Sequence, residues 1–508
     1  MGLGRFTVAL VTVLVLGLGL GPRPATAGVD MGRYVALGDG LTAGFAAGSL
    51  HRDAQLGGYA RLLAQQARGA TVPFEQPLMS EPGIPAVLQL RSSRLAKLPL
   101  APLAPKSGLG SPINLTLPRP YDNLSVPGAK VGDLLRTSTD GGGFHDLVLR
   151  GLGTQLEQAL LLEPALVSLW VGVGDALGAA ISGIVLDGVT LTPTERFAAD
   201  FNAIVQSLVA GGVGAGVVAT IPRPTDLPYV NTLATVAVDA ATGVPLEVDA
   251  APVPLIGPEG SLGAGDFVLL TASPLLARGD GVAVALGGSG VPLPDHAVLS
   301  RAEALQINRR VEEYNRVIRR AAADVGFAVV DAAALFEDWH RNGVRFGEGA
   351  GAERFTSRYL TGGLFSLDGV HPSRLGHALL ANAFIEAVNH TYEAEIELLR
   401  VSELRARARD VYSPDGRSPR VIFTARASKN LRFGLGVPRS GRLLRLKQRT
   451  LRRSRELDER RRRQRYELPA EPRLAVREAV PPAGITFGRG HPVIERGHLG
   501  KVSPVSAL

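Results

Sequence analysis

Apolar residues recur along the chain in two rhythms. Compact apolar runs at 33–37, 165–171, 213–221 and 327–330 are bounded by turn residues and predict buried strands. Between them lie stretches with helical spacing. They are 57–68 (Tyr59, Leu62, Leu63), 153–162, 192–210 and 300–325, the last with Ile307, Val311, Tyr314, Val317 and Ile318 on one face, and 376–389. Thr192-Pro193-Thr194-Glu195 suits a helix start. Residues 121–128 read as a strand and turn, and 131–135 as the opening of a helix. Strands separated by helices predict an α/β fold, with a parallel sheet covered on both faces.

Two stretches break this alternation. Residues 72–120 are rich in Pro and Leu without a period and read as an irregular insertion. In 222–299, short Val and Leu runs alternate with Gly and Pro turns, which predicts a β-rich or looping excursion. The N-terminus has Arg5, an apolar run over 6–20 and the small-x-small triplet Ala25-Thr26-Ala27. That order predicts a signal peptide over 1–27 and a mature chain that starts near Gly28, secreted or periplasmic. The apolar run is short for a bilayer anchor.

Charge adds a further division. Residues 401–508 hold 26 Lys and Arg against 10 Asp and Glu, whereas the first 400 residues hold 29 against 37. This asymmetry predicts a body over 28–400 and a basic tail over 401–508, read as disordered or as a solvated helix. Its run Arg460-Arg461-Arg462-Arg463 suits an anionic surface, or simple solvation. The chain of 508 residues contains no cysteine, which excludes disulfides and thiolate metal sites. The histidines at 51, 145, 340 and 377 lack the spacing of a metal site, and no Gly-rich segment has a nucleotide-binding context, so no metal or cofactor is expected.

Four blocks carry the candidate chemistry. They are Gly38-Asp39-Gly40-Leu41, Asn123-Leu124-Ser125-Val126-Pro127-Gly128, Gly172-Val173-Gly174-Asp175 and Asp368-Gly369-Val370-His371. In this order they resemble the GDSL, or SGNH, hydrolase family of esterases and lipases. The stretches 74–83 and 361–367 resemble a secreted bacterial subgroup of it. The resemblance spans roughly residues 33–389. It implies a three-layer α/β/α, flavodoxin-like fold and hydrolysis of carboxylic esters, with a small-molecule ester, lipid or acylated glycan as partner. It also implies that Gly40 stands where the family has its nucleophilic Ser, and Gly174 where it has an oxyanion-binding Asn. Asp368 and His371 match the family's acid and base, and Gly128 its oxyanion-hole glycine.

The chemistry explains what such a pattern loses. A Ser hydroxyl needs an imidazole to take its proton and a carboxylate to orient that imidazole. The backbone N–H groups of Gly40 and Gly128 remain available to an oxyanion. Losing one oxyanion donor costs about 100- to 1000-fold in rate. Losing the nucleophile costs about a million-fold when the triad acts as a unit. Three readings follow: an ester hydrolase homologue that is inactive or strongly impaired, a pseudoenzyme binding an acyl or glycan ligand in the old cleft, and a weak hydrolase in which His371 and Asp368 activate water. Asp39 reads as functional or as a helix cap, and Asp175 as structural. Thr42, Ser49 and Ser125 are candidate substitute hydroxyls whose simpler reading is as turn or surface residues.

Overall fold

The computed structural model describes residues 30–69, 71–90, 100–239, 244–349, 352–407, 420–438 and 440–466. The expected signal peptide and the end of the tail lie outside these residues. Four strands form the central sheet in the order of the chain: β1 (Tyr34–Gly38), β2 (Leu166–Trp170), β3 (Ala215–Ala219) and β4 (Ala328–Val330). All neighbours are parallel, with Tyr34 opposite Leu166, Leu166 opposite Ala215 and Val217 opposite Ala328. Every residue of β1, β2 and β3 is buried. That is the pattern of strands covered on both faces.

Residues 122–126 run beside the free edge of β1 as an irregular strand. Ala36 N–H donates to Asp122 O at 2.8 Å, Leu124 N–H to Ala36 O at 2.9 Å and Val126 N–H to Gly38 O at 3.1 Å. With this segment as the second strand, the order is the 2-1-3-4-5 of flavodoxin-like sheets. Such sheets place their sites at the carboxyl ends of the strands flanking the switch point, here β1 and β2.

Four helices flank the sheet: α1 (Tyr59–Arg68), α2 (Thr194–Ala210), α3 (Arg301–Val325) and α4 (Arg374–Tyr392). α1 packs on α4 through the stacked rings of Tyr59 and Phe384, 4.3 Å apart, and α2 on α3 through Phe197 and Tyr314, 4.0 Å apart. A capping box, Ser300 with Glu303, starts α3, and Ser373 caps α4. The result is the three-layer α/β/α sandwich expected from the sequence.

Two expectations are corrected. The stretch read as irregular contains the strands Leu88–Leu90 and Leu100–Pro105, which join Arg420–Phe423 in a second, three-stranded sheet. Pro102 and Pro105 hid the second of them, because proline reads as a break in a strand, and the first is only three residues long. The body also does not end near residue 400. It runs to Arg449, with Thr450 onward as a separate unit. Leu404, Phe423, Ala427, Leu431, Leu435, Val437 and Leu443 are all buried in the main core. Helix α5 (Ala425–Gly434) lies in this region. The regional charge excess masked these apolar positions, because arginine stems can reach solvent while apolar neighbours face inward. In the excursion over 222–299, the described residues form two short hairpins and a longer-range antiparallel pair around a small core of their own, including Leu255, Val268 and Leu293. No described helix is long and apolar enough to cross a membrane.

Candidate active site

β1 ends in Gly38, whose φ of +157° and close contact admit no side chain: a Cβ there would stand 2.2 Å from the Trp170 carbonyl oxygen. The chain then turns sharply into the short helix Gly40–Ala43. Asp39 caps this helix, its Oδ1 accepting from Leu41 N–H at 3.1 Å. Gly40 thus stands at the switch point with its N–H at a helix start. Neither Gly40 nor Gly128 donates a backbone hydrogen bond to another described residue. Gly128 has φ of +82°, a left-handed conformation that favours glycine.

Asp368 and His371 arrive on the turn that leads into α4. The His371 Nδ1–H donates to Asp368 Oδ2 at 3.0 Å. The same carboxylate accepts the N–H groups of Gly48, Val370 and His371, each at 2.9 Å, and the Ser366 hydroxyl at 3.1 Å. Burial alone would raise the Asp368 carboxyl. The attraction of the His371 ring and these hydrogen bonds outweigh it and hold the group below its usual range. His371 is 1 % exposed. Its Nε2 faces Gly40, 2.9 Å from where a Cβ on that glycine would stand. The Phe45 ring lies against the imidazole, with centroids 4.9 Å apart.

The structure therefore brings Gly40, Gly128 and His371 to the wall of one cleft, with Asp368 behind the His371 ring. Asp39, Val173, Gly174, Leu177, Ile221, Phe336 and Leu435 also line it. Its cavity is about 20 Å³, space for about one water. Asp39 points a second, unpartnered carboxylate oxygen into these buried surroundings. Burial pushes its pKa up to about 7, against the pull of the Leu41 N–H and His371.

Gly174 departs from the expectation that only a side chain is missing there. A Cβ on it would sit 2.6 Å from the Ala129 carbonyl oxygen. The Ala129 carbonyl occupies the volume an Asn side chain would need. Asp175 is structural, as its position suggested: it is buried and accepts from Val131 N–H at 2.9 Å. Thr42, Ser49 and Ser125 are buried rather than on the surface, and none lines the cleft. The Thr42 hydroxyl is committed to Tyr59 at 2.9 Å and Trp170 O at 3.2 Å. Among the described residues, no group of three or more His, Cys, Asp or Glu converges to hold a metal.

Sequence reasoning missed Phe45 and Leu435 as parts of this site. Phe45 carried a usable signal, since it follows the first block within one turn. Leu435 carried none, because it lies in the region that charge had set aside as tail.

Several solved structures resemble the chain. One is LAE5, an alpha/beta hydrolase enzyme from the metagenome of Lake Arreo, Spain, at 13% identity and TM-score 0.32, with 72% of this chain and 96% of that chain covered. Another is a variant of Axe2, an acetyl xylan esterase from Geobacillus stearothermophilus, at 14% identity and TM-score 0.30, with the same coverage. No curated protein matches the chain. The family description GDSL-like Lipase/Acylhydrolase matches residues 34–384, a span that holds the central sheet and all four blocks, and the chain belongs to that family.

Proposed function

We propose that this protein is an exported, ester-recognising member of the family in which serine chemistry has been lost. Its cleft binds an ester or acyl group without forming an acyl-enzyme. One observation carries this reading. The Asp368–His371 pair is buried, hydrogen-bonded and aimed at Gly40, and Gly40 offers it no hydroxyl. Loss of the nucleophile alone removes about a million-fold in rate when a triad acts as a unit. The backbone N–H groups of Gly40 and Gly128 still suit a carbonyl or carboxylate oxygen.

A second reading is slow hydrolysis by water. The cavity of about 20 Å³ adjoins both His371 and Asp39, so a water there would have a base beside it. A fluorophosphonate probe separates serine chemistry from both readings, because it needs a nucleophilic hydroxyl. The natural chain should remain unlabelled, with p-nitrophenyl acetate hydrolysed at or near the buffer rate. Covalent labelling of any cleft hydroxyl would refute the loss of serine chemistry. Unlabelled protein with hydrolysis that falls on His371→Ala would favour the water reading.

A further inference from the structure

We propose that residues 424–437 form a built-in cover over the cleft, and that a ligand reaches His371 only when this segment is displaced. The inference deepens the reading of the cleft as an ester-binding site by naming what controls access to it.

The cover is anchored at its start by polar contacts away from the cleft. Phe423 pairs with Leu103 in the second sheet, and its N–H donates to Ser273 Oγ at 2.8 Å. Thr424 Oγ1–H donates to Leu103 O at 2.6 Å, and Asn430 Nδ2–H to Ala86 O at 2.7 Å. Over the cleft itself the contacts are apolar and pass through glycines. Gly434 lies against Phe45, the ring that packs on His371. A Cβ at Gly434 would be 2.1 Å from Phe45 Cζ. Gly436 lies against Gly128, where a Cβ would be 2.6 Å from the Gly436 nitrogen. Between these glycines, Leu435 forms part of the cleft wall and is 8 % exposed.

The sizes decide the matter. With the cover in place the cavity holds about one water. An ester needs more room beside His371 than that, so a ligand of the proposed class requires the wall that Leu435 forms to give way. Apparent affinity is then reduced by the fraction of molecules that are open. The contacts that must break are apolar side-chain and backbone packing at 433–437. The strand and the Asn430 bond can persist as a hinge.

Diethyl pyrocarbonate modification of the full chain, mapped by peptide mass spectrometry, tests this without an ester or a hydroxyl. It therefore succeeds or fails independently of the functional reading. The exposed His390 is the reactive reference. His377, 2 % exposed and absent from the cleft lining, reports unfolding. In the natural chain His371 should react as slowly as His377. Leu435→Asp places a carboxylate in the apolar wall and should raise His371 modification by at least about tenfold while His377 stays protected. Should that variant expose His377, Gly434→Ala provides a second perturbation, since its methyl group collides with Phe45. A reversible lock completes the test. A Cβ at Gly178 lies 3.9 Å from Val437 Cγ2, near the reach of a disulfide. Gly178→Cys with Val437→Cys, added to Leu435→Asp, should restore His371 protection when oxidised and lose it in dithiothreitol. His371 reacting as fast as His390 in the natural chain would overturn the proposal. So would an opened variant, or an oxidised lock, that leaves the rate of His371 unchanged.

Discussion

Replacing Asp39 with Asn should make stability less dependent on pH, and the structure sets the size of the effect. Asp39 is 3 % exposed, with one oxygen unpartnered. Its pKa is raised from 3.8 to about 7, chiefly by burial. The folded protein therefore holds this proton more tightly than the unfolded chain does. The resulting stabilisation is complete below pH 3.8 and disappears as pH rises through about 7. At about 1.4 kcal/mol per unit, the natural chain should lose about 2.5 kcal/mol between pH 5 and pH 8 from this group alone. Asn cannot ionise, yet its side-chain oxygen can still accept from Leu41 N–H, so the helix cap survives. Urea unfolding of both proteins, followed by the fluorescence of the buried Trp170 and Trp339, measures the difference. The stability of Asp39→Asn minus that of the natural chain should rise steadily from pH 5 to pH 8. His377, which burial holds down at about 3, and Asp175, raised to about 6, remain in both proteins and largely cancel. A difference that stays flat across this range would refute the picture of a protonated carboxyl in the cleft.

Gly174→Asn should lower the melting temperature and confer no hydrolysis, because its Cβ meets the Ala129 carbonyl at 2.6 Å, a backbone atom that cannot rotate away. Truncation after Arg400 should destabilise the body by several kcal/mol, since each fully buried apolar side chain contributes about 1.5–3 kcal/mol and Phe423, Leu431 and Leu443 are among those removed. Truncation after Arg449 should leave thermal unfolding of the body nearly unchanged, and a large drop would show that the later residues support it.

The sheet was legible because its strands are covered on both faces and so appear as unbroken apolar runs. The run 213–221 and the strand Ala215–Ala219 differ only at their ends. The helices were legible through their spacing, as with Ile307, Val311 and Tyr314 in α3, all buried. The residues of the cleft could be named because they sit in short blocks beside strand ends. Their mutual geometry could not, since no spacing reveals that the Ala129 carbonyl fills the volume beside Gly174 or that Nε2 of His371 closes on Gly40. Residues 420–449 were misjudged for a physical reason. Net charge averages over both sides of an element, whereas burial depends on one side only. Leu431 is fully buried in α5 while Phe433, two positions on, remains 45 % exposed.

The central claim is that the acid and base of this site are in place and that Gly40 leaves them without a nucleophile. Gly40→Ser tests it most directly, assayed by fluorophosphonate labelling and by p-nitrophenyl acetate hydrolysis. A Cβ at this position falls 2.9 Å from Nε2 of His371, so the imidazole must draw back by a few tenths of an ångström, which the end of a side chain can do. The account predicts that the full-length variant becomes labelled at position 40 and hydrolyses the ester well above the natural chain. Adding His371→Ala should remove both gains, because the hydroxyl then has no base. A folded Gly40→Ser protein that stays unlabelled and inactive, alone and when combined with Leu435→Asp, would contradict the claim.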